Sequence, residues 1–268
     1  PTPPPESTIH PPHTSHQSFF NDTSTTEIYT VYKSSAASDV YKRQPMFKPM
    51  RYTLTAVAVS GLFMTSTAAT ADGSASYHVT ITNITNSINF TPILLASHRK
   101  GVSLYELGSV ASNELTAIAE GGDIAPLSAV LQDDPRVADV QDSGDLLGPG
   151  ESVTVTLSAT HGAHNISMAS MMLPTNDGFI ALNSVKAPRH GTVTYYSPGY
   201  DAGTEPNDEL CISIPGPTCG GEGPSPGAGG EGYVHINRGI HGIGDLASDV
   251  YDWRNPVARI TISRVNKD

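Results

Sequence analysis

Short runs that alternate apolar and polar residues recur along this sequence and restrict it to few fold classes. In Tyr77–Asn83 every second position is apolar until the final asparagine, and β-branched types dominate, which is typical of a half-buried strand. Residues that favour turns separate these runs, so successive strands are expected to pair in antiparallel fashion. The pattern predicts an all-β fold, an antiparallel β-sandwich of about eight strands. The predicted strands are Tyr77–Asn83, Phe90–Ser97, Val153–Leu157, Ile166–Leu173, Phe179–Leu182, Thr192–Tyr196, Tyr233–Asn237 and Ala258–Ser263.

One stretch departs from this pattern, and it spans residues 109–134. Apolar residues return there at helical spacing around Leu115, Ser109 or Ser112 can cap the start, and Gly122 can end the helix. A second short helix is expected directly after the first. We therefore predict a short helical insertion in an otherwise all-β domain.

The first 71 residues are predicted to lie outside the folded domain. Residues 1–45 are rich in Pro, Ser, Thr and His and carry no apolar period, so they are expected to be disordered. Within them, residues 34–44 read as the translation of a sequencing adapter, which makes an artefactual extension the alternative to a disordered tail. Residues 46–71 have the charged start, the short apolar core and the small-residue cleavage site of a signal peptide. The domain is expected to span residues 72–268 of a secreted or periplasmic protein.

The acidic character of the chain limits its partners. Its formal net charge is −11, with 26 acidic side chains against 15 Lys and Arg. Such a surface repels nucleic-acid phosphates and anionic lipids. No apolar stretch is long enough for a membrane span. We expect no nucleic-acid partner and no membrane insertion, which leaves an extracellular protein or glycan as the class of partner.

The chain has two cysteines, Cys211 and Cys219. Eight positions separate them across a turn rich in proline and glycine, and in an oxidising compartment this predicts one disulfide. A metal or redox pair is the competing interpretation. Its usual C-x-x-C spacing is absent, and no histidine lies close by in the sequence.

Two short acidic segments follow strand-like runs and would become neighbouring loops if those strands lie side by side. The first contains Asp177, and the second contains Asp201, Glu205 and Asp208. Carboxylate oxygens on loops are the ligands that calcium requires, in sets of six to eight with carbonyls and waters. From spacing alone, the alternative is a pair of Asx-type turns whose carboxylates are solvated.

These acidic segments also resemble a known family. Pro174–Phe179 (PTNDGF) and Tyr200–Glu205 (YDAGTE) are similar to the two most characteristic segments of the spondin N-terminal domain, and Gly108–Leu115 is similar to another. The resemblance covers residues 77–265, which is nearly the whole predicted domain. It implies a β-sandwich with the character of a C2 domain.

The resemblance further implies a bound calcium ion, Ca2+, matched to Asp177 and to Asp201 with Glu205. Asp208 lies beyond the matched motif, so its role as a fourth metal ligand is left open. The family takes part in adhesion in animal matrix proteins. The expected function is therefore a secreted calcium-binding module that mediates extracellular binding or adhesion without catalysis.

Other polar groups are interpreted as structural. Glu120 and Asp123 are expected to be a solvated helix end, and His161 and His164 lack a third partner at zinc-ligand spacing. Pro215–Gly232 has the composition of a mobile connection. The alternative function is a metal-assisted extracellular hydrolase, which would need an open metal position in a cleft.

Overall fold

The structure is a computed structural model that describes residues 74–160, 162–225 and 229–266. All of them belong to one unit of the chain, Ser66–Asp268. Two sequence predictions fall outside the described residues: the disordered or artefactual extension 1–45 with its adapter-like segment 34–44, and the signal peptide 46–71.

The described residues form an all-β sandwich of two antiparallel sheets, as the alternating pattern predicts. Its strands in chain order are β1 (Ala75–Asn83), β2 (Asn89–Phe90), β3 (Leu94–His98), β4 (Val137–Asp142), β5 (Ser152–Ala159), β6 (Asn165–Leu173), β7 (Gly178–Lys186), β8 (Thr192–Ser197), β9 (Gly199–Asp201), β10 (His235–Ile236) and β11 (Ala258–Val265).

The smaller sheet has the strand order β5-β1-β11-β8. Along β1 the side chains of Tyr77, Val79 and Ile81 are buried, and the residues between them are half-buried or exposed. This follows from the period of two, which places successive side chains on opposite faces of a strand. Across the pair of β1 and β11, Tyr77 lies opposite Arg264.

The larger sheet has the order β10-β9-β7-β6-β3-β4, and β2 pairs separately with β6. Its central strands are covered on both faces. Ile180 and Leu182 of β7 pack in the core between the sheets, and Phe179 and Ala181 pack in a second core on the opposite face. Burial on both faces explains why β6 and β7 read as nearly continuous apolar runs instead of alternating ones.

Helices supply the cover for the second core. They are α1 (Asn113–Gly121) and α2 (Ala125–Asp133), which confirm the predicted insertion. A single turn, α3 (Ser248–Tyr251), instead places Tyr251 against the core between the sheets. The Ser112 hydroxyl accepts the N–H of Leu115 at the start of α1, and Gly122 ends the helix in the left-handed conformation. No helix in the described ranges has the length and apolarity needed to cross a bilayer.

The strand count needs correction from about eight to eleven within the described residues. The predicted strand Phe90–Ser97 is wrong as one element, because it is divided at Pro92 into β2 and β3, and proline cannot donate to a ladder. β4 and β9 were not predicted. β4 is half exposed and mostly polar or small, and β9 has three residues, so neither carries a clear alternating pattern.

The predicted disulfide between Cys211 and Cys219 is present. Cys211 begins a short 3-10 turn, and both sulfur-bearing side chains pack against the core between the sheets. The bridge therefore joins the start and the end of one surface loop.

A buried histidine on β3 gives the fold a pH dependence. His98 donates from Nδ1 to the carbonyl oxygen of Arg99 and accepts at Nε2 from the Ser167 hydroxyl. Burial lowers the pKa of His98. On acidification the unfolded chain takes up a proton at the ordinary histidine pKa, about 6.5, whereas the folded protein remains neutral to a lower pH. The free energy of unfolding therefore falls as the pH decreases below that value.

We expect His98→Gln to reduce the slope of unfolding free energy against pH between about pH 7 and pH 5.5, by at most about 1.4 kcal/mol per pH unit. Urea titrations at a series of pH values measure this slope. His78→Gln, at an exposed position of β1, is the matched control and should leave the slope unchanged. Equal slopes in the parent protein and His98→Gln would contradict the assignment.

Candidate metal centre

The pairing of β7 with β9 brings the two acidic segments together. Gly178 lies opposite Asp201 in this antiparallel pair, and the N–H of Ala202 donates to the carbonyl oxygen of Asp177 at 3.2 Å. Asp177 precedes β7 directly, and Asp201 is the last residue of β9. Neighbouring strand ends thus hold the two carboxylates at one end of the larger sheet.

Asp177 is fully buried and only half satisfied. Its Oδ2 accepts the N–H groups of Thr204 at 2.7 Å and Glu205 at 3.1 Å. Its Oδ1 has no hydrogen-bond partner among the described residues. Burial, followed by the negative charge of Asp201, raises the pKa of Asp177 to about 7, although the hydrogen bonds from Thr204 and Glu205 act in the opposite direction. Both causes act because a carboxylate away from water, beside another carboxylate, is disfavoured as an anion.

Glu205 is the second carboxylate of this kind. It is also fully buried, and neither of its side-chain oxygens has a partner of regular hydrogen-bond geometry in the described part of the chain. Burial raises the pKa of Glu205 to about 7. The Ser225 side chain lowers it, and the charges of Glu120 and Asp177, among others, raise it. Glu205 and Asp177 together present three unsatisfied oxygens.

The expectation that Glu120 lies at a solvated helix end is wrong, because this side chain is buried. Its side chain on α1 is only 3% exposed, and Oε2 accepts the N–H of Ser225 at 3.0 Å. It lies close enough to Glu205 for its charge to raise the pKa of that carboxyl. Asp123 is exposed, as expected, and accepts the N–H of Ala125. Glu120 lies about 200° around the helix from Ile118, which faces the sheet, so the helical period did not indicate its burial.

Asp201 is fully buried but well satisfied. Its Oδ1 accepts the N–H of Gly203 at 2.9 Å, and its Oδ2 accepts the side-chain amides of Asn207 at 2.9 Å and Asn237 at 3.2 Å. Burial raises the pKa of Asp201, and the hydrogen bonds from Asn207 and Gly203 lower it. The Asp201 carboxylate therefore fixes the conformation of the loop that follows β9.

Asp201 also belongs to a group that could hold a metal ion. Ligand atoms of Asp201, Glu231 and His235 lie within 4.8 Å of one another. His235 Nε2 is 3.5 Å from Asp201 Oδ1 and 3.7 Å from Glu231 Oε2, and it makes no hydrogen bond in the described structure. Its Nδ1 donates to the Ile236 carbonyl oxygen at 3.0 Å, so in the neutral ring the lone pair of Nε2 faces the two carboxylates.

The sequence did not indicate Glu231 and His235 as site residues. His235 reaches Asp201 because β10 pairs with β9, with His235 directly opposite Asp201. The predicted strand Tyr233–Asn237 contained this residue, but its pairing partner could not be read from the sequence. His161 of the predicted histidine pair lies outside the described residues, and His164 lies elsewhere in the fold.

Asp208 and Glu209 have structural partners. Asp208 Oδ1 accepts from the Asn176 amide at 3.1 Å and from the N–H of Leu210 at 3.0 Å. Glu209 is buried, and its two oxygens accept the backbone N–H groups of His241 and Ile243. The glycine-rich loop around His241 is therefore organised by a carboxylate of this same chain.

A close backbone contact joins the second acidic segment to the chain before β10. The N–H of Gly232 donates to the Gly203 carbonyl oxygen at 2.8 Å, and Gly203 has φ +68°. A Cβ at Gly203 would lie 2.3 Å from the carbonyl oxygen of Tyr233. Only glycine permits both this backbone conformation and this approach.

Comparison with known families places the first acidic segment and most of the second in one match, and Asp208 lies beyond its end. The family model described as Spondin_N matches residues 76–206. The matched range contains Asp177, Asp201 and Glu205 and stops before Glu231 and His235. No curated protein matches the chain.

Proposed function

The chain belongs to the spondin N-terminal family through residues 76–206, and from this membership and its buried carboxylates we propose that it is a secreted calcium-binding module. It binds an extracellular protein or glycan and has no catalytic activity. Asp177 and Glu205 hold the ion, and Asp201 shapes the loop beside it.

Three orphaned oxygens carry this proposal: Oδ1 of Asp177 and both side-chain oxygens of Glu205. A buried carboxylate without partners is unfavourable unless a cation or a proton neutralises it. A divalent cation would neutralise both groups at once and tie the β6–β7 turn to the segment after β9. In such a structural site the ion supplies positive charge and a link between two segments of the chain.

The donor set favours calcium over other metals. Asp177, Glu205 and the neighbouring Glu120 offer only hard oxygen atoms, and calcium accepts six to eight such ligands in flexible geometry. Magnesium demands stricter geometry and loses its water reluctantly, and zinc prefers nitrogen and sulfur. Asp208 stays outside the innermost set in this proposal, because one of its oxygens is already occupied by Asn176 and Leu210.

Burial supports a binding module over the alternative, a metal-assisted hydrolase. Catalytic metals need an open coordination position that substrate can reach. Asp177, Asp201 and Glu205 are each 0% exposed. A neighbouring cavity of about 480 Å³ is lined by Asp208, Glu231 and Arg238 among others, but by none of those three carboxylates.

The disulfide and the family support export of the protein to a secreted or periplasmic location. The acidic surface supports a partner other than nucleic acid, because a chain of net charge −11 repels phosphate backbones.

Calorimetric titration tests the site and its selectivity. We expect calcium to bind the chelator-treated protein with one-to-one stoichiometry and more tightly than magnesium. Asp177→Asn and Glu205→Gln should each abolish the heat of calcium binding, since each removes an unpartnered charged oxygen. His235→Gln and Glu231→Gln are the matched variants of the adjacent cluster and should retain calcium binding. Loss of calcium binding in His235→Gln with retention in Asp177→Asn would move the ion to the histidine cluster and overturn the proposal.

A further inference from the structure

A cavity of about 300 Å³ opens at the end of the sandwich where β7 finishes. It is lined by basic, histidine and tyrosine side chains: Lys186, Arg189, Arg264, His164, His190 and Tyr77. Tyr77 and Arg264 form a cross-strand pair of the smaller sheet, and Lys186 is the last residue of β7. Both sheets therefore contribute to the cavity.

The charge of this cavity is opposite to that of the chain. The protein carries 26 acidic residues and a net charge of −11, yet no Asp or Glu lines the cavity. None of Lys186, Arg189 and Arg264 has a carboxylate oxygen within 4.0 Å among the described residues. Three basic side chains that lie together without carboxylate partners attract anions to the cavity and raise their local concentration.

The donors around the cavity are held in place by the backbone. Arg264 Nη1 donates to the Arg189 carbonyl oxygen at 3.0 Å, which fixes the guanidinium and leaves its other N–H groups available. The Tyr77 hydroxyl lies 3.2 Å from His164 Nδ1. Burial raises the pKa of Tyr77, so its hydroxyl keeps its proton at neutral pH. The N–H of Ala187 donates to the His164 carbonyl oxygen at 2.8 Å and ties the loop after β7 to the wall.

We propose that this cavity binds the sulfate or phosphate group of a small organic ester. The planar guanidinium of Arg264 presents paired N–H donors that match the oxygens of a tetrahedral anion. Lys186 and Arg189 supply further positive charge from the rim. A volume of about 300 Å³ lies at the lower end of the range for small-molecule sites, about 300–1,000 Å³, so part of the organic group also fits.

This site is separate from the candidate metal centre. Asp177 directly precedes β7 and Lys186 ends it, so about eight residue steps, or roughly 26 Å of extended strand, lie between Gly178 and Lys186. Binding of the ester therefore does not depend on calcium. The two sites can be tested independently in one protein.

Calorimetric titration with glucose 6-sulfate and glucose 6-phosphate at low salt tests the proposal, with glucose as the uncharged probe. We expect at least one ester to bind and glucose not to bind. Arg264→Gln should weaken binding at least about tenfold, because a charge-assisted hydrogen bond contributes at least that much. Arg259→Gln, on the same strand but outside the cavity, removes an equal charge and should leave the affinity unchanged.

Lys186→Gln is a second variant at an exposed position, in case Arg264→Gln does not fold, and it should also weaken binding. Binding of one ester alone supports the site and identifies its anion. Absence of heat with both esters up to about 10 mM, above the millimolar Kd of weak binding, overturns the proposal. Equal binding of glucose, or equal losses in Arg259→Gln and the cavity variants, overturns it as well.

Discussion

Calcium at one hundred times its dissociation constant is expected to raise the melting temperature by about 5–10 °C, and Asp177→Asn is expected to abolish this rise. A ligand that binds only the folded state at that excess adds about 2.7 kcal/mol to the free energy of unfolding. For a domain of this size, each kcal/mol corresponds to about 2–4 °C. Asp177 contributes an unpartnered buried oxygen, so its substitution removes a charge that the ion requires.

The metal-free form of Asp177→Asn should remain folded and melt at the same temperature as the metal-free parent, or higher. An asparagine oxygen can still accept the N–H groups of Thr204 and Glu205, which hold Asp177 Oδ2. The substitution also removes a buried negative charge near Asp201, whose repulsion raises the pKa of Asp177. The metal-free variant therefore loses the unfavourable repulsion between the two carboxylates and keeps the hydrogen bonds from the backbone.

Glu209→Gln is the matched control for this measurement. Glu209 is a buried carboxylate in the same region, but both of its oxygens accept backbone N–H groups. Its substitution should lower the melting temperature with and without calcium and leave the difference between them unchanged. A calcium response that persists in Asp177→Asn, or one that disappears in Glu209→Gln alone, would contradict the assigned ligands.

The sequence was most informative where local pattern and burial agree. β1 and β11 alternate because one face is buried, and Ser112 and Gly122 bound α1 by local hydrogen bonding and backbone conformation. β4 could not be predicted, since an edge strand that is half exposed and polar gains its structure from pairing with β3. Its pattern carries no trace of that long-range pairing.

The candidate metal centre was predictable only in part. Asp177 and Asp201 were expected to meet because the runs before them, β6 and β8, would lie side by side, but these strands are in different sheets. The two carboxylates meet through β9, which was not predicted and which pairs with β7. Glu231 lies within the Gly-rich stretch Pro215–Gly232, which was interpreted as a mobile connection, and His235 follows that stretch. Its described end is instead bonded to Gly203 through the N–H of Gly232. Composition alone does not distinguish glycines that permit close approach from glycines that permit motion.

No local pattern in the sequence indicated the basic cavity. Tyr77, His164, Lys186 and Arg264 lie on four separate segments, and each reads in the sequence as an ordinary strand or loop residue. Only the two-sheet packing brings them together. A site of this kind depends on tertiary structure and has no spacing that a motif could capture.

Phe90→Ala should destabilise the protein more than any other substitution considered, by about 3–5 kcal/mol. Phe90 lies on β2, is fully buried, and packs in the core between the two sheets. Its backbone also exchanges both hydrogen bonds with Leu147, at 3.0 and 2.9 Å, so the truncated side chain would leave a cavity beneath a fixed strand. A backbone held in this way cannot collapse into the space, and the cost of the cavity adds to the lost burial of the ring.

Denaturant unfolding in the presence of calcium measures this effect, and the matched control is Tyr196→Ala on β8. Tyr196 is 56% exposed, so its truncation should change the free energy of unfolding by at most about 0.5 kcal/mol. The calcium-dependent rise in melting temperature should persist in Phe90→Ala, because the phenylalanine contributes no oxygen to the metal centre. A loss below about 1 kcal/mol would mean that the sheets are not packed on Phe90, since well-packed aromatic residues are not removed from a core at so small a cost.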